Sequence, residues 1–260
     1  MKRPSEGLID SRFDYWFAAL QERHLANLRV TELTRALRAL SSIYVERRHT
    51  VSRGGPFDGA GKRAAFALFY APLHFLMTAH VVRSVGGDDP PPDTILDVGC
   101  GAGAAGAAWA LAAGSVPVVR GIDRHAWAVD EARWTYRALG VRGTVQRGLV
   151  ERLPHLRPGS AAVAAYVLNE LPGDSRIQLE RHLFSAAERG VSLLVIEPIA
   201  RGIAPWWSDT ARRATRLGGR ADEWRMPVDL PPLLQTLDKA AGLHHRELTA
   251  RSLWLPGRTA

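Results

Sequence analysis

One stretch constrains this chain more than any other. Thr94-Ile95-Leu96-Asp97-Val98 runs straight into Gly99-Cys100-Gly101-Ala102-Gly103, and an alanine-rich segment from Ala104 to Ala113 follows at once. The first five residues read as a buried strand. Three alternate glycines permit positive φ and leave backbone bare for a ligand to lie against. The segment after them reads as a helix, whose first N–H groups have no partner within the helix. Strand, bare turn and helix N-terminus in that order are the opening unit of an α/β sheet.

The rest of the second half keeps that rhythm. Val116 to Ile122 reads as a strand ending at Asp123, and Trp127 to Leu139 as a helix closed by Gly140. Thr144 to Gln146 is a short third strand, and Ala161 to Leu168 a fourth. Arg176 to Glu188 is a helix, and Val191 to Ile196 a fifth strand ending at Glu197-Pro198. This alternation predicts an α/β fold with a parallel sheet and right-handed crossovers. In the tail, Leu230 to Ala241 reads as a helix, while His244 to Leu248 and Arg251 to Leu255 read as two closing strands.

The first zone, about 8 to 86, is helical. Phe13, Trp16, Phe17, Leu20, His24 and Leu28 recur at helical spacing, and Leu33, Leu37 and Leu40 continue the face after a break near Thr31. Gly54, Gly55, Pro56, Gly59 and Gly61 form a loop. A second apolar helix is expected from Lys62 to Val85, kinked or split at Pro72. Gly86-Gly87 with Pro90-Pro91-Pro92 marks a linker. Residues 1–89 are therefore expected to form a helical N-terminal cap, and residues 90–260 the α/β domain.

Composition narrows the class. Hydrophobic residues make up 46% and charged residues 23%, an ordinary balance for a globular chain with a sizeable core. No uninterrupted apolar run has the roughly 18–20 residues that span a bilayer, so no membrane partner is expected. The basic start, Met1 to Asp10, has no apolar stretch behind it, and a cytoplasmic protein is expected. Cys100 is the one cysteine, which excludes an internal disulfide and reads as a small residue in a tight loop. No histidine spacing suggests a metal site. The net charge of +8 leaves an RNA partner open. Only Lys2, Lys62 and Lys239 among 34 basic residues are lysine, a skew that also fits a coding bias toward arginine.

Two ligands suit the glycine loop. Gly101-Ala102-Gly103-Ala104-Ala105-Gly106 satisfies the dinucleotide fingerprint. Asp97, however, stands just before the first glycine, where a carboxylate repels a pyrophosphate and favours a positive sulfonium and amino group. Asp123, ending the next strand, is placed to accept from both hydroxyls of an adenosine ribose. These features favour S-adenosylmethionine (SAM).

Ile95-Leu96-Asp97-Val98-Gly99-Cys100-Gly101-Ala102-Gly103 resembles motif I of class I SAM-dependent methyltransferases, and Gly121-Ile122-Asp123 resembles their motif II. The likeness covers about 94 to 200 well. It implies a Rossmann-like methyltransferase fold, SAM as cofactor with S-adenosylhomocysteine (SAH) as product, and a donor site of Asp97, Gly99, Cys100, Gly101, Gly103, Asp123, Arg124, Leu149 and Asn169. Gly148-Leu149-Val150-Glu151-Arg152-Leu153-Pro154 departs from the family: Leu149 stands where an Asp usually accepts from the adenine amino group. Tyr166-Val167-Leu168-Asn169-Glu170-Leu171-Pro172 looks like the strand-four ending of small-molecule methyltransferases. With the helical N-terminal region, Glu46-Arg47-Arg48 and Val195-Ile196-Glu197-Pro198, it also resembles the methyltransferase-like proteins of the mitochondrial small ribosomal subunit and bacterial relatives. The paired cysteines of that group are absent.

Glu170 and Glu197 lie at strand ends and are the candidate catalytic carboxylates, with helix capping or ion pairing as the alternative for each. Tyr44, Tyr70 and Trp206 are the candidate acceptor pocket, with core packing as the alternative. His49, His74, His80 and His125 are each a possible base. The expected function is methyl transfer from SAM to a small-molecule acceptor. The alternative is a ribosome-associated or rRNA-directed methyltransferase-like protein.

Overall fold

The computed structural model describes residues 4–26, 28–46, 57–199 and 204–257; the side chains of 4–10 and 42–46 lie outside that description. Helices α1 (Pro4–Leu25) and α2 (Val30–Glu46) follow the expected face: Trp16, Leu20, Leu33, Leu37 and Leu40 are all fully buried. The break lies between Leu25 and Val30, a few residues before the expected Thr31, which is already inside α2. Glu32 reaches back to accept the N–H of Arg29 at 2.9 Å, which satisfies a donor at the start of α2.

The apolar helix runs from α3 (Ala60–Ala65) through a π turn (Phe66–Tyr70) into α4 (Ala71–Val85). The π turn is the response to Pro72. Proline lacks an N–H and its ring would press on the carbonyl four residues back. A wider turn, in which the Ala71 N–H bonds to the carbonyl of Phe66, opens that space without ending the helix. No uninterrupted apolar run of membrane-spanning length occurs in this helix, since Lys62, Arg63, His74, His80 and Arg83 break it. The helix over 60–85 is long and apolar enough by composition (mean hydropathy 1.5 over its most apolar window), yet 78% of that window is buried inside the fold. Its alanines and isolated polar residues leave the average apolar, because it is a central core helix.

Among the described residues seven strands form one sheet: β1 (Thr94–Val98), β2 (Val118–Asp123), β3 (Gly143–Arg147), β4 (Ala161–Ala165), β5 (Ser192–Glu197), β6 (Arg220–Pro227) and β7 (Glu247–Leu255). Their order is β3-β2-β1-β4-β5-β7-β6. The first five are parallel, and β7 is antiparallel to both β5 and β6. Helices α5 (Ala104–Ala112), α6 (Ala126–Ala138), α7 (Gly173–Glu188), α8 (Trp207–Arg216) and α9 (Pro232–Ala241) complete it.

Two apolar clusters sandwich the sheet. One joins Trp16, Phe75 and Trp109 to Ile95 and Val119; the other joins Leu179, Leu183 and Phe184 to Leu96 and Val195. The Trp109 indole donates to the carbonyl of Gly87 at 2.7 Å and pins the end of α4 to α5. The helical N-terminal region thus packs directly on the face that carries the glycine loop.

Four readings need correction. The two closing strands are one, β7, paired on both sides, so polar Thr249 and Arg251 do not interrupt it. His244-His245 precede β7 in a loop, where Asp238 accepts from the His245 backbone N–H at 2.7 Å. Strand β6 was not expected: its charged residues lie on an edge strand with one face in solvent. Strand β4 also ends at Ala165, earlier than its apolar run, and 168–170 forms a 3₁₀ turn.

Candidate functional site

The glycine loop is shaped by contact. Gly99 has φ 62°, and a Cβ there would stand 2.8 Å from the Val167 side chain. Gly103 has φ 79°, and a Cβ would stand 2.8 Å from the Tyr136 ring. Neither position accepts a side chain.

Two carboxylates hold the loop. Asp97, 1% exposed, accepts the Gly106 N–H at 2.9 Å and the Tyr136 hydroxyl at 3.4 Å. Burial outweighs both bonds and pushes its pKa up to about 7. Asp123, at the end of β2, accepts the Gly101 N–H at 3.0 Å on one oxygen and the His125 N–H at 2.8 Å on the other. Burial raises its pKa too, against those bonds. Each oxygen keeps a second lone pair for a ligand. The Cys100 thiol, buried between the two acids, is pushed well above its ordinary range and stays protonated.

These groups face a cavity of about 250 Å³ at the carboxyl ends of the parallel strands. Asp97, Gly99, Cys100, Asp123, Arg124, Leu149 and Glu170 of the expected site line it. Gly101 and Gly103 shape the loop behind. Asn169 and Glu197 lie outside the lining. Glu197, fully buried, accepts the backbone N–H groups of Leu168 (2.8 Å) and Asn169 (3.4 Å) and the Asn169 side-chain amide. It thereby holds the turn that carries Glu170, and burial pushes its pKa up to about 8.

Tyr70 and Trp206 also lie outside the lining. The Tyr70 hydroxyl meets Ser41 Oγ at 2.9 Å, and the Arg176 guanidinium lies 4.9 Å over the Trp206 ring. Tyr44 and Glu46-Arg47-Arg48 fall outside the residues whose side chains are described.

The structure adds lining residues that the motifs did not single out: Phe57 and Phe66 from the helical region, Tyr166 after β4, and Glu151 with Ser175. Glu151 stands two positions past Leu149, and a hydrogen bond from Ser175 lowers its pKa. Of the candidate bases, His74 and His125 line the cavity, His80 does not, and His49 lies outside the described residues. The spacing of Phe66, Tyr70 and His74, four residues apart each time, was the available signal. Their rings form one stripe with centroids 6.1–6.2 Å apart.

Neither a protein-family profile nor a curated protein sequence matches the chain. Solved structures do. A candidate O-methyltransferase from Nostoc punctiforme aligns with a TM-score of 0.52 at 15% identity, over 90% of this chain and 71% of that one. A SAM-dependent methyltransferase from Aquifex aeolicus aligns over 68% of this chain and 89% of its own, at 16% identity and a TM-score of 0.46. The plantazolicin methyltransferase, solved with SAH, aligns over 92% of this chain and 100% of its own, at 12% identity and a TM-score of 0.46. The chain has the Rossmann-like fold of SAM-dependent methyltransferases, with its cavity where that fold's parallel strands end.

Proposed function

We propose that the protein is a SAM-dependent methyltransferase acting on a small-molecule acceptor. The observation that carries this reading is the pair Asp97 and Asp123, both facing one cavity across a loop stripped of side chains. The residues fit the cofactor. Asp97 supplies negative charge beside the glycine loop, suited to the positive amino and sulfonium groups. Asp123 has acceptor capacity for the ribose hydroxyls. Leu149 and Val150 offer apolar surface for the adenine, and Glu151 is the carboxylate nearest them in sequence.

Bound there, SAM supplies an activated methyl group. This chain's residues hold the donor, exclude water and align the acceptor, which is where methyl transfer gains much of its rate. The helical region over 1–89 acts as the cap that closes the acceptor side, with Phe57, Phe66 and His74 as its contribution. Calorimetry with SAM and SAH is the test. Binding in the micromolar range supports the reading; no binding at millimolar ligand removes it.

The +8 net charge supports a second reading, a ribosome-associated or rRNA-directed methyltransferase-like protein. Exposed Arg133, Arg220 and Arg225 are each paired with a carboxylate, which favours the first reading. A filter-binding assay separates the two. RNA affinity that falls steeply with added salt supports the second, and no affinity at low salt removes it.

A further inference from the structure

Tyr166 departs from ordinary backbone geometry. It takes φ 60°, a conformation that is strained for a bulky residue and persists only where surroundings enforce it. Two contacts enforce it. Its N–H bonds to the Ile196 carbonyl at 2.7 Å, continuing the sheet one residue past β4. Its neighbour Val167 is wedged against Gly99 of the donor loop. The outcome is that the Tyr166 ring lies flat on the His74 ring, with centroids 3.9 Å apart and planes 15° from parallel.

That stack joins two distant parts of the chain at one cavity wall. His74 comes from α4 in the helical region and Tyr166 from the end of β4, beside the donor loop. Phe57 and Phe66 line the same cavity, so this part of the wall is aromatic. Of the titratable groups that meet His74 there, Tyr70 on its own helix and Tyr166 across from it are neutral phenols, both with raised pKa values. Asp97, Asp123, Glu151 and Glu170 are the carboxylates of the same lining, and Arg124 and His125 also belong to it.

Resting on the methyltransferase reading, we propose that His74 is the base for an aromatic hydroxyl acceptor, and that Tyr166 is the positioning residue that fixes the imidazole plane. In the transfer, the acceptor oxygen forms its bond to the methyl carbon as the C–S bond breaks and its electron pair stays on sulfur. The hydroxyl proton passes to the imidazole nitrogen. Desolvation holds His74 at a pKa of about 3, so the ring is neutral and available at any working pH. It also does not repel a cationic donor. Proton transfer becomes favourable only as the acceptor oxygen donates its electron pair to the methyl carbon and gains positive charge, which acidifies the O–H and makes the assistance specific to the transition state.

The test uses wild type, His74→Gln, Tyr166→Phe and, as a control on the same helix, His80→Gln. His80 packs on Trp224 with ring centroids 5.6 Å apart and is not among the cavity's lining residues. The first readout needs no turnover: binding of p-nitrophenol to the SAH-saturated protein, followed by its absorbance. The second is methylation of a panel of simple phenols as a function of pH. SAH affinity should be unchanged in all three variants. His74→Gln should weaken p-nitrophenol about tenfold, lower kcat at neutral pH about 10²-fold or more, and make the rate climb with pH as the phenol ionises by itself. His80→Gln should match wild type. Tyr166→Phe keeps the ring and should change kcat less than threefold, whereas Tyr166→Ala should approach His74→Gln. Normal SAH affinity with unaltered phenol binding and rate in His74→Gln overturns this proposal alone, and so does normal SAH binding by a wild type that takes no phenol. Failure of wild type to bind SAH overturns the methyltransferase reading and this proposal together.

Discussion

The Asp123 carboxylate accepts the Gly101 N–H at 3.0 Å, so the acid that ends β2 also holds the loop that follows β1. One side chain therefore has two tasks: to set the loop and to face the cavity.

That double role predicts a graded response. Asp123→Asn keeps one acceptor oxygen but turns an N–H₂ donor toward a backbone N–H. SAH affinity should fall about tenfold or more, the scale of a lost bond to a charged group. Asp123→Ala should lose more and also lower the unfolding midpoint. Calorimetry and thermal melts measure the two effects, and unchanged SAH affinity in both variants would sink the assignment.

Asp97 predicts a pH signature that separates charge from fit. Its pKa, pushed up to about 7, makes it a neutral acid below that value and a carboxylate above it. An ionised Asp97 favours the sulfonium of SAM, and SAH has no such charge. The ratio of SAM to SAH affinity should therefore rise from about pH 6 to about pH 8 and flatten in Asp97→Asn. Titration calorimetry at three pH values tests it, and a ratio independent of pH in wild type counts against the role.

Gly99→Ala should destabilise the fold by about 1–3 kcal/mol, from a Cβ forced to 2.8 Å from Val167 and from an unfavourable φ of 62°. Adding Val167→Ala should recover the contact part and leave the backbone part. Urea unfolding of the double-mutant cycle measures that coupling. Simple additivity would show that Val167 is not what sets the loop.

Glu197 makes a prediction about stability. Burial raises its pKa to about 8, above the unfolded value, so its contribution is present at low pH and is lost as pH rises from about 4.5 through about 8. Protonated, Glu197 becomes a donor, and the Asn169 side-chain oxygen, buried without a hydrogen bond, can take it if the amide turns over. Glu197→Gln should flatten the decline in unfolding midpoint between about pH 5 and pH 8. Glu197→Ala should be less stable at every pH, because it orphans the Leu168 N–H. A wild-type decline that persists in Glu197→Gln would assign the proton to another group.

Much of this was legible without coordinates. The unit from Thr94 to Ala113, the acid at Asp123 and the order of strands and helices through β5 depend on local period and backbone permissiveness, which neighbouring residues display. The edge strand β6 was not legible, because its charged residues meet solvent on one face and carry no apolar run. Nor was β7 legible as one strand: Arg251 is 5% exposed, and only pairing on both sides keeps a buried arginine in a continuous ladder.

The sequence by itself determined the glycine loop and its two acids, since glycine spacing and strand ends place them within a short stretch of chain. Tertiary structure alone decided which groups face that loop from elsewhere. His74 is one of nine histidines; its spacing of four from Tyr70 and Phe66 places it on an aromatic helix face but does not say what that face meets. It reaches Tyr166 because α4 packs against α5 and the sheet, with a π turn setting the phase of the helix just before Pro72. Glu197 resembles a site carboxylate by position, yet the Leu168–Glu170 turn folds over it and takes its oxygens. Long-range packing chose between those outcomes, and local patterns carry no information about it.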